Sequence, residues 1–249
     1  MEDEKKMRNY DQELADTSDH EYAYDFDFDV MHHFMLRAFR PFLQKGRSLE
    51  LGSFKGDFTK KLIKELDSIE CVEASGKAIQ EFKKDSFLSN VVCHHSLFED
   101  FKTDTKYDNI FLTHVLEHID DPRHLLARIR NEWLSDNGRL FLVCPNANAP
   151  SRQIAVRMGL ISHNSAVTDS EKAHGHNATY SFDTLERIAK DAGLSITQRK
   201  GIFFKWLANF QWDQVIAQDI VRKDYLNACY ELGEIYPDLC GSILIVCER

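Results

Sequence analysis

Glycine and proline are scarce in this sequence, 11 and 5 among 249 residues, and neither recurs at a fixed interval. The scarcity excludes collagen-like, linker-dominated and short-repeat architectures. Long apolar runs are also missing: stretches such as 110–112 and 243–247 fall far short of the roughly 20 residues that cross a bilayer, so no membrane partner is expected. The leading segment MEDEKKMRNYDQELADTSDHE lacks the basic flank and apolar core of a secretory signal, and a cytoplasmic protein is expected. The six cysteines form no CxxC pair, which argues for reduced, buried small hydrophobes rather than disulfides or zinc ligands. Positive charge is in deficit, 31 Lys and Arg against 40 Asp and Glu for a net charge of -9, and such a surface repels nucleic acid.

What is present is a regular alternation. After Gly46, β-prone runs at 48–52, 69–73, 91–94, 109–113 and 139–144 are separated by amphipathic segments, notably 57–66 and 122–133. The pattern predicts βαβ units, hence an α/β fold with a doubly wound, mostly parallel sheet and helices on both faces. Phe58, Leu62, Ile63 and Leu66 share one helical face; Leu125, Leu126, Ile129 and Trp133 share another, behind a Pro122 suited to the first helical turn. A third helix over 181–192 opens at Ser181 and stops at Gly193. Late strands at 195–200 and 242–247 flank an aromatic helical insert, 202–239, whose Phe203, Phe204, Trp206, Phe210 and Trp212 suit packing or a homodimer surface better than a ligand cage.

One unit over 1–249 is expected: an arm with helices (1–46), a ligand-binding core (47–145), a pocket segment (146–180) and a C-terminal part (181–249). The first twenty residues, highly charged, predict a mobile arm. The following YAYDFDFDVMHHFMLRAFRPFL takes helix spacing through Met31, Phe34, Met35, Ala38, Phe39 and Phe42. Tyr22, Tyr24 and His32 are candidate lid contacts; the aromatic/Asp alternation equally allows Phe26, Phe28 and Val30 to pack on a sheet edge with the aspartates in water.

The turn LELGSFKGDFT carries the first chemical signal. Gly52 and Gly56 flank a strand-to-helix turn that exposes bare backbone, although Phe54 spoils the three-glycine dinucleotide fingerprint. Glu73 closes the second strand 21 residues after Gly52, where a carboxylate accepts hydrogen bonds from ribose hydroxyls.

The stretch KYDNIFLTHVLEHIDDPRHLL, followed by NGRLFLVCPN, is the most specific. With the Gly52 turn and Glu73 it resembles the class I S-adenosylmethionine-dependent methyltransferases, in the small-molecule branch that includes ubiquinone-biosynthesis O-methyltransferases. The resemblance spans about 48–200 and includes HGHNATYSFDTLERIAKDAGL. It implies a Rossmann-like sheet with an antiparallel last strand, S-adenosylmethionine as cofactor with S-adenosylhomocysteine as product, and a small-molecule acceptor. It also implies cofactor contacts from Glu50, Gly52, Ser53, Phe54 and Gly56, from Glu73 and Ala74, from Ser96, Leu97 and Phe98, and from Thr113 and His114. Two residues depart from the family pattern: Phe54 stands where a glycine is expected and Ser96 where an acid is common.

Methyl transfer from a sulfonium mainly requires alignment and exclusion of water, and an acceptor hydroxyl adds the need for a base. His118, just after the fourth strand, is the candidate base, with His176 and Tyr180 as further catalytic candidates; Arg152, His163 and His174 are candidate substrate contacts, suited to a small polar or anionic acceptor methylated at oxygen in preference to nitrogen. No metal is expected, because the Asp120-Asp121 loop reads as solvated and the His32-His33, His94-His95 and His174-x-His176 pairs lack recognisable ligand spacing. The competing readings are loop-stabilising hydrogen bonds from Glu117 and His118, a nicotinamide-dependent oxidoreductase, a catalytically silent cofactor-binding protein, and a methyltransferase acting on a macromolecule.

Overall fold

The β-prone runs pair as their apolar alternation requires. The structure, a computed structural model, describes residues 10–11 and 24–249. Strands β1 (Arg47–Leu51), β2 (Ser68–Glu73), β3 (Val92–His95), β4 (Tyr107–Thr113) and β5 (Leu134–Pro145) run parallel in the order β3-β2-β1-β4-β5. The seven-stranded sheet is completed by β6 (Ser195–Phe204) and β7 (Cys240–Glu248), with β7 antiparallel to both β5 and β6, as the family resemblance implies for the last strand.

Around it lie α1 (His32–Phe39), α2 (Thr59–Leu62), α3 (Gly76–Lys84), α4 (Pro122–Arg128), α5 (Pro150–Arg157), α6 (Asp169–Ala173), α7 (Phe182–Asp191), α8 (Asn209–Ala217) and α9 (Lys223–Ile235). None of the described helices is long and apolar enough to cross a membrane. Period-two alternation splits the strand side chains between two cores. Ile110, Leu112, Leu140 and Leu142 cluster with Leu125 and Leu126 of α4 and Leu185 of α7. Phe111, Phe141 and Val143 point the other way, where the ring of Phe39 in α1 lies 5.7 Å from Phe111 and 5.0 Å from Phe141.

Three sequence expectations need correction. The helix expected over 57–66 is α-helical only over Thr59–Leu62, because Lys64 and Glu65 donate to the carbonyls of Lys61 and Leu62 and tighten the last turn. Phe203 and Phe204 belong to β6 rather than to a helical insert, since pairing continues to Phe204 opposite Cys240. Residues Phe26–Met31 form a π-helical turn instead of packing on a sheet edge. Phe26 stacks on Trp212 at 5.4 Å and meets Phe203 edge-on at 5.4 Å, so the aromatics of the insert do pack inward here. Asp27 is half-buried at the cavity wall and accepts hydrogen bonds from Asn209.

The topology decides where ligands go. Strand order reverses between β1 and β4, opening a crevice at their carboxyl ends. Because β6 and β5 are both antiparallel to β7, β6 ends at this same edge and β7 begins there.

Candidate functional site

A cavity of about 490 Å³ lies along this edge. At its inner end, Gly52 has φ +80° and a Cβ there would meet Cγ2 of Val115 at 2.6 Å, so only glycine permits the turn. Gly56, at φ +89°, is glycine for another reason: its Cβ would strike Leu88 and Phe82, and it does not line the cavity. Phe54 adopts φ +50°, an unusual conformation for a residue with a side chain. Its N–H donates to Oε2 of Glu73 at 2.8 Å while the N–H of Ser75 donates to Oε1 at 2.8 Å, so two backbone amides orient the carboxylate. Burial raises the pKa of Glu73 and these bonds oppose the shift. Burial likewise pushes Glu50 up to about 7, against a hydrogen bond of 2.6 Å from the Thr59 hydroxyl. Ser53, Ala74, Leu97 and Phe98 line the same end; Ser96 does not, since its hydroxyl turns to the Leu97 carbonyl at 2.8 Å.

The turn after β4 supplies the centre. Thr113 lines the cavity, and His114, at φ +54°, brings Nε2 within 3.0 Å of the Ser242 hydroxyl at the start of β7. Burial lowers its pKa to about 4, with Coulomb contributions from His176 and Lys205, so the imidazole is neutral at physiological pH. Glu117 is 1% exposed, its Oε2 has no hydrogen-bond partner among the described residues, and burial pushes its pKa up to about 8. The N–H of Asn177 donates to the Glu117 carbonyl at 2.7 Å, and its side-chain amide donates to the His118 carbonyl at 3.2 Å and to Oδ1 of Asp120 at 3.1 Å. This clamp brings His176 against His118, and ligand-type atoms of Glu117, His118 and His176 all lie within 4.8 Å of one another.

The outer wall departs from the sequence reading. Arg152 lines the cavity, but its guanidinium donates to the Asn164 carbonyl at 2.8 Å, to the Ala166 carbonyl and to Glu171, and so ties down residues 164–171. His174 also lines the cavity. His163 does not; it is exposed, with Nδ1 3.2 Å from the Ser165 hydroxyl. Tyr180 is a core residue, 4% exposed, whose carbonyl accepts from the Ala147 N–H at 2.7 Å, and burial raises its phenol pKa. Tyr24 and His32 line the cavity, His32 with a pKa lowered by burial to about 3. Tyr22 lies outside the described residues, but Tyr10 lines the cavity and Asp11 accepts from the Ser75 hydroxyl at 2.6 Å.

Sequence reasoning missed Lys205, Asp27, Asn209 and Ser242, all of which line the cavity. A single cation inside the apolar run GIFFKWL is the signal that could have found Lys205. Burial lowers its pKa and Asp27 opposes that shift. Asp27, raised by burial, accepts from Nδ2 of Asn209 at 2.9 and 2.8 Å and from the Tyr24 N–H at 3.2 Å.

Compared with known proteins, residues 22–199 match the family model described as a methyltransferase domain. No curated protein sequence matches the chain. Among solved structures, the methyltransferase of Haloferax volcanii in complex with the Trm112 activator has a TM-score of 0.60 at 16% identity, over 97% of this chain and 99% of that one. An S-adenosylmethionine-dependent methyltransferase from Thermotoga maritima has a TM-score of 0.60 at 18% identity, over 89% and 90%. DhpI, solved with SAM and HEP, has a TM-score of 0.60 at 16% identity, over 96% and 94%.

Proposed function

The chain belongs to the methyltransferase-domain family, and from that premise we propose that it methylates a small, polar, anionic metabolite, at oxygen in preference to nitrogen. It is an S-adenosylmethionine-dependent methyltransferase, and the inner end of the cavity fits that ligand. Gly52 leaves a cradle that a Cβ would fill, and Glu73, held by two amides, keeps lone pairs for ribose hydroxyls. Ala74, Leu97 and Phe98 offer apolar flanks for a purine, with Glu50, Ser53, Phe54 and Thr113 along the remaining wall. When bound, S-adenosylmethionine supplies a methyl group already activated by the sulfonium.

The protein then has to hold the acceptor in line, exclude water and take a proton. The observation that supports this reading is the meeting of His118 with His176 and Glu117 next to the cavity that Glu73 also lines. We assign His118 as the base that removes the acceptor hydroxyl proton, with His176 packed against its ring and Glu117 beside the pair. Tyr180 supports the wall from within the core. The cluster is read as metal-free, so turnover should survive treatment with a chelator.

Incubation with S-adenosylmethionine and fractionated cell extract tests the proposal. S-adenosylhomocysteine should form with the small-metabolite fraction and not with protein or RNA. Formation with a macromolecular fraction only would replace the acceptor class, and formation with none would favour a silent cofactor-binding protein. The unfolding midpoint should rise with S-adenosylhomocysteine and not with NAD.

A further inference from the structure

We propose that Lys205 anchors the negatively charged group of the methyl acceptor, a carboxylate or a phosphate. The inference rests on the methyl-transfer reading above and adds to it the residue that selects the substrate class.

Lys205 follows directly on β6, at the edge where β4 and β5 also end. Its stem is guided rather than loose. A Cβ on Gly241 would lie 2.7 Å from Cδ of Lys205 and 3.0 Å from its Cβ, so the bare backbone of Gly241 is what lets the side chain pass towards the cavity. The ammonium ends 5.9 Å from the centroid of the Phe26 ring.

The charges around it are already committed elsewhere. Glu171 is held by Arg152 and by the N–H of Thr168 at 2.8 Å. Both carboxylate oxygens of Asp27 accept from Asn209. Among the described residues, no acidic oxygen lies within ion-pair distance of Nζ of Lys205 and no hydrogen bond reaches that atom. An ammonium carries three donors and is strongly hydrated, so leaving it half-buried at a cavity wall without an acceptor is unfavourable unless something from the cavity supplies one. Arg152, the cation that sequence reasoning assigned to this task, has spent its guanidinium on its own loop.

The position also suits the chemistry. The charge of Lys205 is felt at His114, whose ring contacts Ser242 at the same edge, so an anion held by Lys205 would share the cavity with the turn after β4 that carries the proposed base His118. A single ammonium recognises carboxylate and phosphate alike as a point charge, without the paired geometry a guanidinium imposes.

Calorimetric titration of the protein saturated with S-adenosylhomocysteine tests the assignment. Wild type, Lys205→Met and Lys205→Arg are titrated with inorganic phosphate, with acetate, and with acetamide as the uncharged counterpart of acetate. Wild type should bind at least one anion and not acetamide, Lys205→Met should bind it at least about tenfold more weakly, and Lys205→Arg should stay within about threefold of wild type. The relative affinities of phosphate and acetate identify which anion the site takes. Equal anion binding by wild type and Lys205→Met, or wild-type binding that does not distinguish acetate from acetamide, overturns the proposal. S-adenosylhomocysteine affinity is measured first and should be the same in all three proteins. Its absence in wild type would count against the methyl-transfer reading, whereas its presence without an anion effect would count against Lys205 alone.

Discussion

The imidazole rings of His118 and His176 meet edge to face, their centroids 4.5 Å apart and their planes at 78°. His118 belongs to the 3₁₀ turn Leu116–His118 after β4, and His176 to the segment between α6 and α7, so the contact depends on the bonds that Asn177 makes across the two loops. Glu117, its side chain buried and its pKa raised to about 8 by that burial, completes the group.

Replacing the proposed base should separate chemistry from binding. For His118→Asn, turnover is expected to fall between about 10² and 10⁴-fold while the dissociation constant for S-adenosylhomocysteine stays near wild type. Steady-state kinetics with calorimetry make the comparison, and unchanged turnover would return His118 to a loop-stabilising role.

Asn177 bonds to the loop that carries His118, and its removal is expected to act through that loop rather than on the substrate. Asn177→Ala deletes the side-chain bonds to His118 and Asp120 but keeps the backbone bond to Glu117. Turnover should drop between about tenfold and a hundredfold with little change in the KM for the methyl donor. Combined with His118→Asn, the loss should be less than additive, and full additivity would show that the two residues work independently.

Glu73 is a different kind of position, because two backbone amides depend on it. Glu73→Ala leaves the N–H groups of Phe54 and Ser75 without their acceptor and removes the proposed ribose contact, each lost partner being worth about 1 to 3 kcal/mol. S-adenosylhomocysteine affinity should fall by at least about tenfold. Donor-product binding at wild-type strength would contradict the ribose role.

Four buried groups shape the pH dependence of stability. Glu50 and Glu117 titrate near 4.5 when unfolded but at about 7 and about 8 when folded, so the folded protein holds the extra protons between those limits. Their contribution is fully present below pH 4.5 and is lost as pH rises through 7 and 8. His32 and His114 titrate near 6.5 when unfolded but at about 3 and about 4 when folded, so their contribution is present above pH 6.5 and lost as pH falls through 4 and 3. The opposing slopes predict a plateau in the Tm of the ligand-free protein between pH 4.5 and 6.5, with a decline on the alkaline side up to pH 8 that is shallower in Glu117→Gln. Calorimetric scans across this range make the check; a Glu117→Gln variant that follows the wild-type alkaline slope would contradict a protonated carboxyl at this position.

The inner end of the cavity, proposed for the cofactor, is built from local features that the chain displays. A glycine turn directly follows β1, an acid closes β2, and the parallel pairing of Leu51 with both Val72 and Leu112 follows from adjacent apolar strands, so short-range pattern carries the long-range placement. The acceptor end offers no such pattern. Arg152 reads as a free cation until Asn164, Ala166 and Glu171 are seen to surround it, and His163 reads as a pocket residue until it is seen to be exposed. The Phe26 and Asp27 alternation looks like a strand, yet the packing of Phe26 between Phe203 and Trp212 turns it into a helical bend.

The order of residues was therefore sufficient for the strands of the sheet and the Gly52 turn, since apolar periodicity and bare-backbone turns act over a few residues at a time, while the methyltransferase family was legible through the resemblance that VLEHIDDP carries. The contact of His118 with His176, the commitment of Arg152 and the placement of Lys205 at the cavity arose only in the folded molecule. Each depends on which polar group reaches which partner across distant loops, and burial, which sets the protonation of Glu117 and His114, exists only once both cores have closed on the sheet.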